Sequence, residues 1–532
     1  MTTLSLPFSI AQMVRDRANE LGDNAVFSYQ DQQISYAQLN TNSNQTANAL
    51  IAEGITSGDR IAYLGKNSPA YFELIAAVAK IGAVVVPLNW RLAGPELTYV
   101  LNDCQAKLVF VEAEFYSKIS SIHSTLSLSP QVFIVNGELD DDKSYVEWMG
   151  RFAPSDPQLD LDADADVVQL YTSGTTGSPK GAILTSRMLL ALRGQDENDV
   201  INDWQRYEAG ESGLLVMPCF HVGGTSFGLG IIFSGAHAVV LAEYDPNQAI
   251  DLIQKYAVSK VFMVPAALQI LLNNPRIDSV DLSSLKHIYY GASPIPLDLM
   301  REAIERFGCG FVQMYGMTES GGTIVALQPE DHVTNLDETG FNQKMLSVGK
   351  PLSGVELKVI DEAGDTLPAG AIGEIATRSA KNIKTYWNLP EATAQAIDTD
   401  GWLRTGDAGY LDEDGYLYIH DRVKDMIISG GENIYPAEVE NAIFSHEDVA
   451  EVAVIGVPDD KWGEAVKAIV VTVKGASPDE QSLIDFARTR IAPYKCPKSV
   501  DFIEALPRNP SGKVLRRQLR EPYWQGKDKA VN

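Results

Sequence analysis

Several features that would mark a secreted, membrane or metal-cluster protein are missing from this chain of 532 residues. Its four cysteines are far apart and form no Cys-x-x-Cys pair, which favours reduced thiols over disulfides or a metal cage. No run of about 18 apolar residues occurs, so no transmembrane helix is predicted. The amino terminus lacks a basic segment followed by an apolar run, so no signal peptide is predicted. We therefore expect a cytoplasmic protein.

Basic residues are in short supply: 43 lysines and arginines stand against 70 aspartates and glutamates, for a net charge of −27. Such a surface repels nucleic acid and anionic lipid, so neither a nucleic-acid partner nor integral membrane association is expected. An anionic substrate would need cations supplied locally by its site. The sequence leaves the oligomeric state open, and a homodimer is one option.

The length exceeds what one hydrophobic core usually supports, so two or more domains are expected. Helical and strand patterns alternate near the amino terminus. Ser35 is a predicted cap for a helix over 36–52, and Tyr71 to Ile81 predicts a second helix. Strands are predicted over 60–64 and 83–87. This alternation favours an α/β class with layered sheets.

Similar strand patterns recur at 214–218, 239–241, 261–264 and 287–290. The carboxyl-terminal part differs. Two segments flank an Asp414-Gly415 turn and predict a hairpin. Pro436 predicts a helix start, and strands are expected over 452–457 and 468–473. Residues 477–480, Ser-Pro-Asp-Glu, fit a capping box with proline at the first helical position. A domain boundary is predicted near residues 421–425.

The most informative stretch runs from Tyr171 to Gly181 and reads Tyr-Thr-Ser-Gly-Thr-Thr-Gly-Ser-Pro-Lys-Gly. An apolar run before it predicts a buried strand. Its glycines allow close backbone approach to phosphate oxygens, and its hydroxyls and lysine add donors and charge. It is not a Walker A loop, because Pro179 precedes the lysine and a glycine follows it. The candidate phosphate-binding residues are Thr172, Ser173, Gly174, Thr175, Thr176, Gly177 and Lys180.

This string resembles the nucleotide loop of the adenylate-forming superfamily, which includes acyl-CoA synthetases, peptide-synthetase adenylation domains and luciferases. Further motifs follow in the family's order, and the resemblance covers nearly the whole chain. It implies an α/β fold with a large amino-terminal domain of layered sheets and a small β-barrel-like part, residues 1–421. A hinge at 422–425 and a small mobile α+β domain at 426–532 would follow.

A second motif, residues 313–319, reads Gln-Met-Tyr-Gly-Met-Thr-Glu. Thr318 and Glu319 offer hard oxygen ligands, which suit Mg²⁺ on nucleotide phosphates. The resemblance implies that Glu319 and Thr172 lie on the metal side and that Tyr315 stacks near adenine. Segment 291–293 would line the adenine and acyl pockets. The residues so implied for the nucleotide are Gly291, Ala292, Ser293, Gln313, Tyr315, Gly316, Met317 and Thr318.

Asp407 and Arg422 form a third pair. A carboxylate at a strand start can accept both ribose hydroxyls, and an arginine can add donors. The resemblance also implies that Lys424 is the hinge pivot and that Lys513 is the catalytic lysine of the small domain. A cation there would stabilise charge that builds as a carboxylate attacks the α-phosphorus. Gly430, Gly431 and Glu432 would lie in the loop lining the pantetheine tunnel.

The segment 217–225 distinguishes branches of the superfamily. Amino-acid-activating members carry an aspartate after the phenylalanine, and this chain has His221. It looks like the acyl-CoA synthetase histidine between the acyl and CoA channels. The predicted acyl-pocket positions are mostly apolar or small, which favours monocarboxylates with an apolar tail over dicarboxylates or amino acids. They are Phe220, His221, Gly223, Gly224, Phe227, Gly291, Met317 and Val325.

The sequence thus predicts an ATP-dependent acyl-CoA synthetase that uses Mg²⁺, ATP and CoA, with fatty acids favoured and arylpropenoates, as in 4-coumarate-like ligases, as the alternative. An acyl-AMP ligase that loads a carrier protein is the main rival. A luciferase-like oxidative activity has no separate signal, and an inactive homologue acting as a binding protein is disfavoured by the intact motifs. Departures from the family pattern occur at Ser186, at Arg378-Ser379 and at Thr385-Tyr-Trp387, and they put the local channel shape in doubt.

Overall fold

The computed structural model describes residues 9–137, 144–159, 161–172, 179–194, 200–293, 295–332, 343–422, 425–429, 432–459, 462–491, 493–508 and 514–525. Within these residues, the strands form sheets of six, nine, four and five strands. The first two sheets are mainly parallel, and they carry most of the α/β layering that the sequence predicts.

The six-stranded sheet is built from apolar segments that are buried on both faces, as parallel sheets require. Its last strand pairs antiparallel with its neighbour, and the other pairs are parallel. In spatial order its strands are Gln131–Ile134, Leu108–Val111, Arg60–Leu64, Val84–Leu88, Asp166–Thr172 and Lys180–Thr185.

The nine-stranded sheet has a parallel centre and antiparallel strands at both edges. In spatial order its strands are Lys350–Pro351, Gly322–Leu327, Gly310–Met317, His287–Gly291, Lys260–Met263, Ser212–Leu215, His237–Val240, Ala25–Tyr29 and Gln32–Ser35. Strands predicted at 214–218, 239–241, 261–264 and 287–290 are confirmed, with ends shifted by a few residues.

The part predicted as barrel-like contains a four-stranded antiparallel sheet, and the predicted hairpin around Gly415 joins its last two strands. These strands are Glu356–Ile360, Gly373–Arg378, Leu403–Leu411 and Leu417–Arg422. The carboxyl-terminal sheet consists of Glu432–Ile434, Ile427–Ser429, Gly463–Thr472 and Val449–Asp459, with Ser499–Phe502 parallel to the third of these.

The α-helices of the described residues are Ile10–Leu21, Tyr36–Ala52, Pro69–Ile81, Gly94–Cys104, Tyr116–Ile122, Tyr145–Gly150, Ser186–Leu190, Val222–Phe233, Pro246–Tyr256, Pro265–Leu272, Leu297–Phe307, Pro390–Ala396, Pro436–Phe444, Glu480–Arg488 and Arg516–Trp524. Short 3₁₀ turns lie at Ala113–Phe115, His123–Thr125, Asp203–Gln205, Thr318–Ser320, Pro329–Asp331 and Gln343–Leu346. None of the helices in this described part combines the length and apolar character needed to cross a bilayer.

The two predicted helix caps have different outcomes in the structure. The Ser35 cap is confirmed: its hydroxyl accepts from the Gln38 amide at 3.2 Å, and the Gln38 side chain accepts from the Ser35 amide at 2.8 Å. The capping box at Ser477 is wrong. That helix begins at Glu480, because Asp479 is the residue whose carboxylate accepts from the Ser482 amide at 2.9 Å.

A large core cluster joins the two main sheets through the helices 69–81 and 222–233. All residues of the first helix are buried. The two helices meet where Gly228 faces Phe72, and a Cβ on Gly228 would lie 2.3 Å from the Phe72 ring. Parallel strands place their carboxyl ends on one edge, where ligands bind in open α/β sheets. The strands ending at Thr172, Leu215, Met263, Gly291 and Met317 deliver the candidate site in this way.

Candidate active site

A cleft of about 1280 Å³ lies at these strand ends. The six-stranded sheet contributes Thr172 and Lys180 to its wall, and the nine-stranded sheet contributes Gly316 and Met317. The four-stranded sheet contributes Arg404 to the same wall. Asp425 and residues 514–517 of the carboxyl-terminal part line the same cleft. Described parts of the predicted nucleotide site from both main sheets therefore face one space.

Glu319 is the buried carboxylate of this cleft, with 7% of its surface exposed. It follows the strand 310–317 in a single 3₁₀ turn. Its Oε1 accepts the Thr172 hydroxyl at 3.2 Å and the Tyr386 hydroxyl at 2.8 Å. The two residues assigned to the metal side by sequence are thus in direct contact across the two sheets.

Tyr386 was not among the predicted site residues, and the structure places it at the centre of this cluster. Its ring lies 5.3 Å from the Lys180 ammonium. Burial raises its pKa well above 10, with the Glu319 carboxylate adding to the effect, so the hydroxyl stays a donor. A signal was available in the sequence, because Tyr386 lies in the motif that departs from the family pattern at Thr385.

The segment 381–387 is hydrogen-bonded to Glu319 and to strands of both main sheets. The Ile383 amide donates to the Glu319 carbonyl at 2.8 Å, and the Trp387 amide donates to the Gly181 carbonyl at 2.7 Å. The Lys381 ammonium donates to the Thr323 carbonyl at 3.0 Å. These bonds fix the segment at both ends and hold the Tyr386 hydroxyl on the carboxylate.

The donor set around Glu319 fits Mg²⁺. This ion binds proteins through one or two carboxylates and takes its remaining oxygens from water and substrate phosphates. The hydrogen bonds from Thr172 and Tyr386 both end on Oε1, which leaves Oε2 for an ion. The described residues contain no cluster of three or more His, Cys, Asp or Glu side chains suited to a metal, so a closed protein cage is not offered there.

The predicted adenine and ribose residues are hydrogen-bonded to each other. The Tyr315 hydroxyl donates to the Asp407 carboxylate at 2.8 Å. Asp407 stands opposite Arg422 in the antiparallel pairing of strands 403–411 and 417–422. The Asp407 amide also donates to the Thr405 hydroxyl at 3.2 Å, and Thr405 lines the cleft. The backbone therefore brings the third predicted pair to the same region.

His221 lines the cleft and begins the helix 222–233. The turn before it is held by Asn67, whose side chain accepts from the Cys219 amide at 2.9 Å and donates to the Met217 carbonyl at 3.1 Å. Burial, aided by the nearby Arg91, lowers the pKa of His221 to about 4. The imidazole is therefore neutral near pH 7. Its Nε2 has no hydrogen-bond partner among the described residues.

Of the remaining predicted residues, Ala292, Gly316, Met317 and Thr318 line the cleft. Gln313 instead accepts a hydrogen bond from the Tyr290 hydroxyl at 3.2 Å, and Ser293 lies outside the cleft wall. Several predicted residues fall outside the described part of the chain: Ser173, Gly174, Thr175, Thr176, Gly177, Lys424, Gly430, Gly431 and Lys513. For Arg422 and Glu432 the structure describes the backbone strand alone.

The predicted acyl-pocket positions differ in whether they line a cavity of the structure. His221, Gly223 and Met317 line the cleft, and Gly223 and Phe227 line a chamber behind it. The other four positions line neither cavity: Phe220, Gly224, Gly291 and Val325. The two glycines are packing sites, since a Cβ would lie 2.3 Å from the Pro218 carbonyl oxygen at Gly224 and 2.1 Å from the Met314 carbonyl oxygen at Gly291. Val325 is fully buried in the core.

The sequence list also missed two cationic residues of that chamber, Arg193 and Lys381. The chamber lining therefore includes charged side chains beyond the predicted positions, which are apolar, small or aromatic apart from His221. Lys381 lies between the two departures from the family pattern, at Ser379 and Thr385, so the altered motif marked the right place. Its contact with the chamber depends on packing between distant segments and could not be read from spacing.

Lys381→Met is expected to raise the melting temperature by roughly a few degrees, because it removes a cation that burial destabilises. Burial, followed by the charge of Arg193, lowers the pKa of Lys381 from 10.5 to about 7. Between these values the unfolded chain holds a proton that the folded chain has lost, so the wild type gains stability as pH rises. The benefit of the substitution should be largest near pH 6 and fade towards pH 10.

Differential scanning calorimetry at the two pH values checks this expectation. Lys384→Met is the matched control, since it removes the same charge from a side chain that is 67% exposed. An equal shift at both pH values for Lys381→Met would contradict it.

The chain is similar to known proteins over most of its length. A family model described as "AMP-binding enzyme" matches residues 14–387, and one described as "AMP-binding enzyme C-terminal domain" matches residues 438–513. A fatty acid–[acyl-carrier-protein] ligase, ScoC, from Streptomyces coeruleorubidus is 40% identical over 94% of this chain and 93% of its own. A feruloyl-CoA synthase from an Amycolatopsis species is 38% identical over 92% and 94%.

Among solved structures, ATP-bound MatB from Rhodopseudomonas palustris is similar, with a TM-score of 0.84 and 31% identity over 96% of this chain and 99% of that chain. The layered α/β sheets, the separate carboxyl-terminal sheet and the shared cleft define a two-domain adenylate-forming enzyme. The chain belongs to the AMP-binding enzyme family.

Proposed function

We propose that this protein is an ATP-dependent acyl-CoA synthetase. A carboxylic acid and ATP give an acyl adenylate and pyrophosphate, and the thiol of CoA then displaces AMP. The observation that carries the proposal is the convergence of Thr172, Glu319 and residues 514–517 on one cleft. Residue 514 follows Lys513 directly, so the chain reaches the cleft where the catalytic lysine is proposed.

The residues of the cleft divide the work between binding and charge stabilisation. Thr172, Lys180 and the hydroxyls of the loop after Thr172 bind phosphate oxygens. Glu319 would hold Mg²⁺, which would neutralise phosphate charge when bound. Tyr386 fixes the carboxylate through its 2.8 Å hydrogen bond. Asp407 accepts the ribose hydroxyls, and Lys513 stabilises the charge that develops as the acid attacks phosphorus.

The neutral state of His221 supports a role at the junction of the acid and thiol paths. A neutral imidazole adds no positive charge beside the acid. The residue lines the cleft, and its Nε2 is a buried hydrogen-bonding group with no partner among the described residues. His221 would therefore orient the acyl group while the thiol approaches, without holding the carboxylate as an ion pair.

A carrier-protein thiol is the alternative acceptor, favoured by the 40% identity to a fatty acid–[acyl-carrier-protein] ligase. Both acceptors present the same pantetheine thiol, so the cleft itself does not separate them. The deciding measurement is AMP release across a panel of carboxylic acids, with CoA, with a phosphopantetheinylated carrier protein, and with neither. Turnover that rises with CoA supports the synthetase. Turnover that rises with the carrier alone contradicts it.

Lys424→Pro tests the proposed hinge at 422–425. The four-stranded sheet ends at Arg422 and the carboxyl-terminal sheet begins at Ile427, so residue 424 lies in a short link between two sheets. Proline fixes φ and removes a backbone donor, which should trap one domain orientation. Adenylation, measured by pyrophosphate release, should persist, while thioester formation should fall by roughly two orders of magnitude or more.

Lys424→Ala is the matched control, since it removes the side chain but keeps backbone freedom. It should retain both half-reactions near the wild-type rates. If Lys424→Pro also supports both steps at wild-type rates, residue 424 is not the pivot.

A further inference from the structure

Behind the cleft lies a smaller cavity of about 120 Å³, which we call the inner chamber. The chamber is adjacent to the cleft, because six residues line both spaces: Val222, Gly223, Phe262, Met314, Gly322 and Thr323. The chamber starts beside His221, where the acid chain of a bound acyl group would leave the cleft. It therefore lies on the path of the far end of the acid.

The chamber is small. An apolar cavity of about 150 Å³ takes up benzene, so a space of this size accepts about one ring or a short branched end. Phe227, Phe262 and Leu352 supply apolar surface for the body of such a group. A long alkyl tail exceeds this volume.

The polar groups of the chamber are mostly donors. Lys381 is only 5% exposed, and the Thr323 carbonyl is the one acceptor that the described residues give its ammonium. Trp204 is also 5% exposed, and its indole Nε1 has no partner in the described part of the chain. The buried hydroxyl of Tyr207 has none there either. Buried donors without acceptors are costly, and native proteins seldom keep several in one place.

Positive charge adds to this pattern. Arg193 lines the chamber, and its guanidinium donates to the Ser226 carbonyl at 3.1 Å. No aspartate or glutamate occurs among the described residues that line the chamber. An occupant that accepts hydrogen bonds would offer an acceptor to donors of this lining and would lie close to the Arg193 guanidinium.

We propose that the inner chamber binds an oxygen acceptor, a carboxylate or a carbonyl, at the far end of the acid that the enzyme activates. The inference rests on the proposed acyl-CoA synthetase function and names its substrate class: acids with a compact apolar body and an oxygen at the distal end. Arg193 supplies charge, Lys381, Trp204 and Tyr207 are the donors of the lining, and the aromatic walls contact the body.

The test uses two sets of acids that differ at one end. The first set is 5-methylhexanoate, 5-oxohexanoate and glutarate, which share a three-methylene spacer. The second is 3-phenylpropanoate with a 4-isopropyl, 4-acetyl or 4-carboxyl group. Within each set, the ends have nearly the same shape but are apolar, neutral oxygen or charged oxygen. Binding is measured by calorimetry on the full-length enzyme, and turnover by AMP release.

In at least one set, an oxygen-ended acid should bind about 10- to 100-fold more tightly than its isopropyl partner, the range for a hydrogen bond to a charged group. Lys381→Met should remove most of that ratio while keeping binding of the isopropyl acid. Lys384→Met should keep the ratio. Tyr207→Phe removes only one hydroxyl and should lower the ratio several-fold, which serves as a second test should Lys381→Met fold poorly.

The proposal is overturned if the isopropyl acids bind best in both sets, or if the folded Lys381 and Tyr207 variants keep the wild-type ratio. Preference for the acetyl end identifies a neutral carbonyl, and preference for the carboxyl end identifies a second carboxylate. Because binding is read separately, a retained ratio without AMP release would uphold the chamber and refute the proposed function. AMP release without a binding preference for the oxygen-ended acids would uphold the proposed function and refute the proposed role of the chamber.

Discussion

Lys513→Ala should slow adenylation by roughly two to four orders of magnitude, the scale of losing one key electrostatic donor in a transition state. The charge of Lys513 is needed only while phosphorus is under attack by the carboxylate. Thioester formation from supplied acyl adenylate should therefore remain near the wild-type rate. The two half-reactions are measured separately, by pyrophosphate release and by acyl-CoA formation.

Lys498→Ala is the control for this variant, because it removes an exposed lysine from the same domain. It should leave both half-reactions unchanged. Equal loss of adenylation and thioester formation in Lys513→Ala would refute the assigned role, since it would indicate damage to the domain and not to one chemical step.

Glu319→Gln should lower adenylation by about two to three orders of magnitude, because the amide cannot neutralise a divalent ion. The substitution keeps an oxygen that can accept from Thr172 and Tyr386, at 3.2 and 2.8 Å in the wild type. The fold should therefore survive. High Mg²⁺ concentrations should restore part of the activity.

A binding measurement supports the same test without turnover. The rise in melting temperature that Mg²⁺ and ATP produce in the wild type should shrink in Glu319→Gln, while ATP alone should act equally on both proteins. The control is Glu330→Gln, which alters an exposed carboxylate in the 3₁₀ turn Pro329–Asp331. An unchanged dependence on Mg²⁺ would show that Glu319 is not a metal ligand.

Much of the fold could be predicted from local sequence patterns, because caps, strands and turns depend mainly on residues close together in the sequence. The Ser35 cap, the buried strands and the hairpin around Gly415 all follow from spacing and turn chemistry. The helix at 480–488 shows the limit of that reasoning. Ser477 and Asp479 are both good N-cap residues. In the structure Asp479 is the cap, and its carboxylate accepts from the Ser482 amide.

The candidate site divides in the same way. Contact between Thr172 and Glu319 was implied by the family motifs and is present in the structure. The roles of Tyr386, Arg193 and Lys381 were not predicted, because each depends on where distant segments pack. Gly224 and Gly291 show the reverse error, since small residues near a ligand motif can serve backbone packing and leave the wall to their neighbours.

The segment 381–387 has a consequence for how the acid specificity of this enzyme could change during evolution. One end of the segment touches the chamber through Lys381, and the other supports the carboxylate through Tyr386. Substitutions at residue 381 that shift the segment would therefore act on the support of Glu319 as well as on the choice of acid. Trp204 and Tyr207 also line the chamber and have no such tie to Glu319 among the described contacts. New acid specificities should therefore arise more readily by substitution at Trp204 and Tyr207 than at Lys381. Natural variation in acid specificity should concentrate at those two positions.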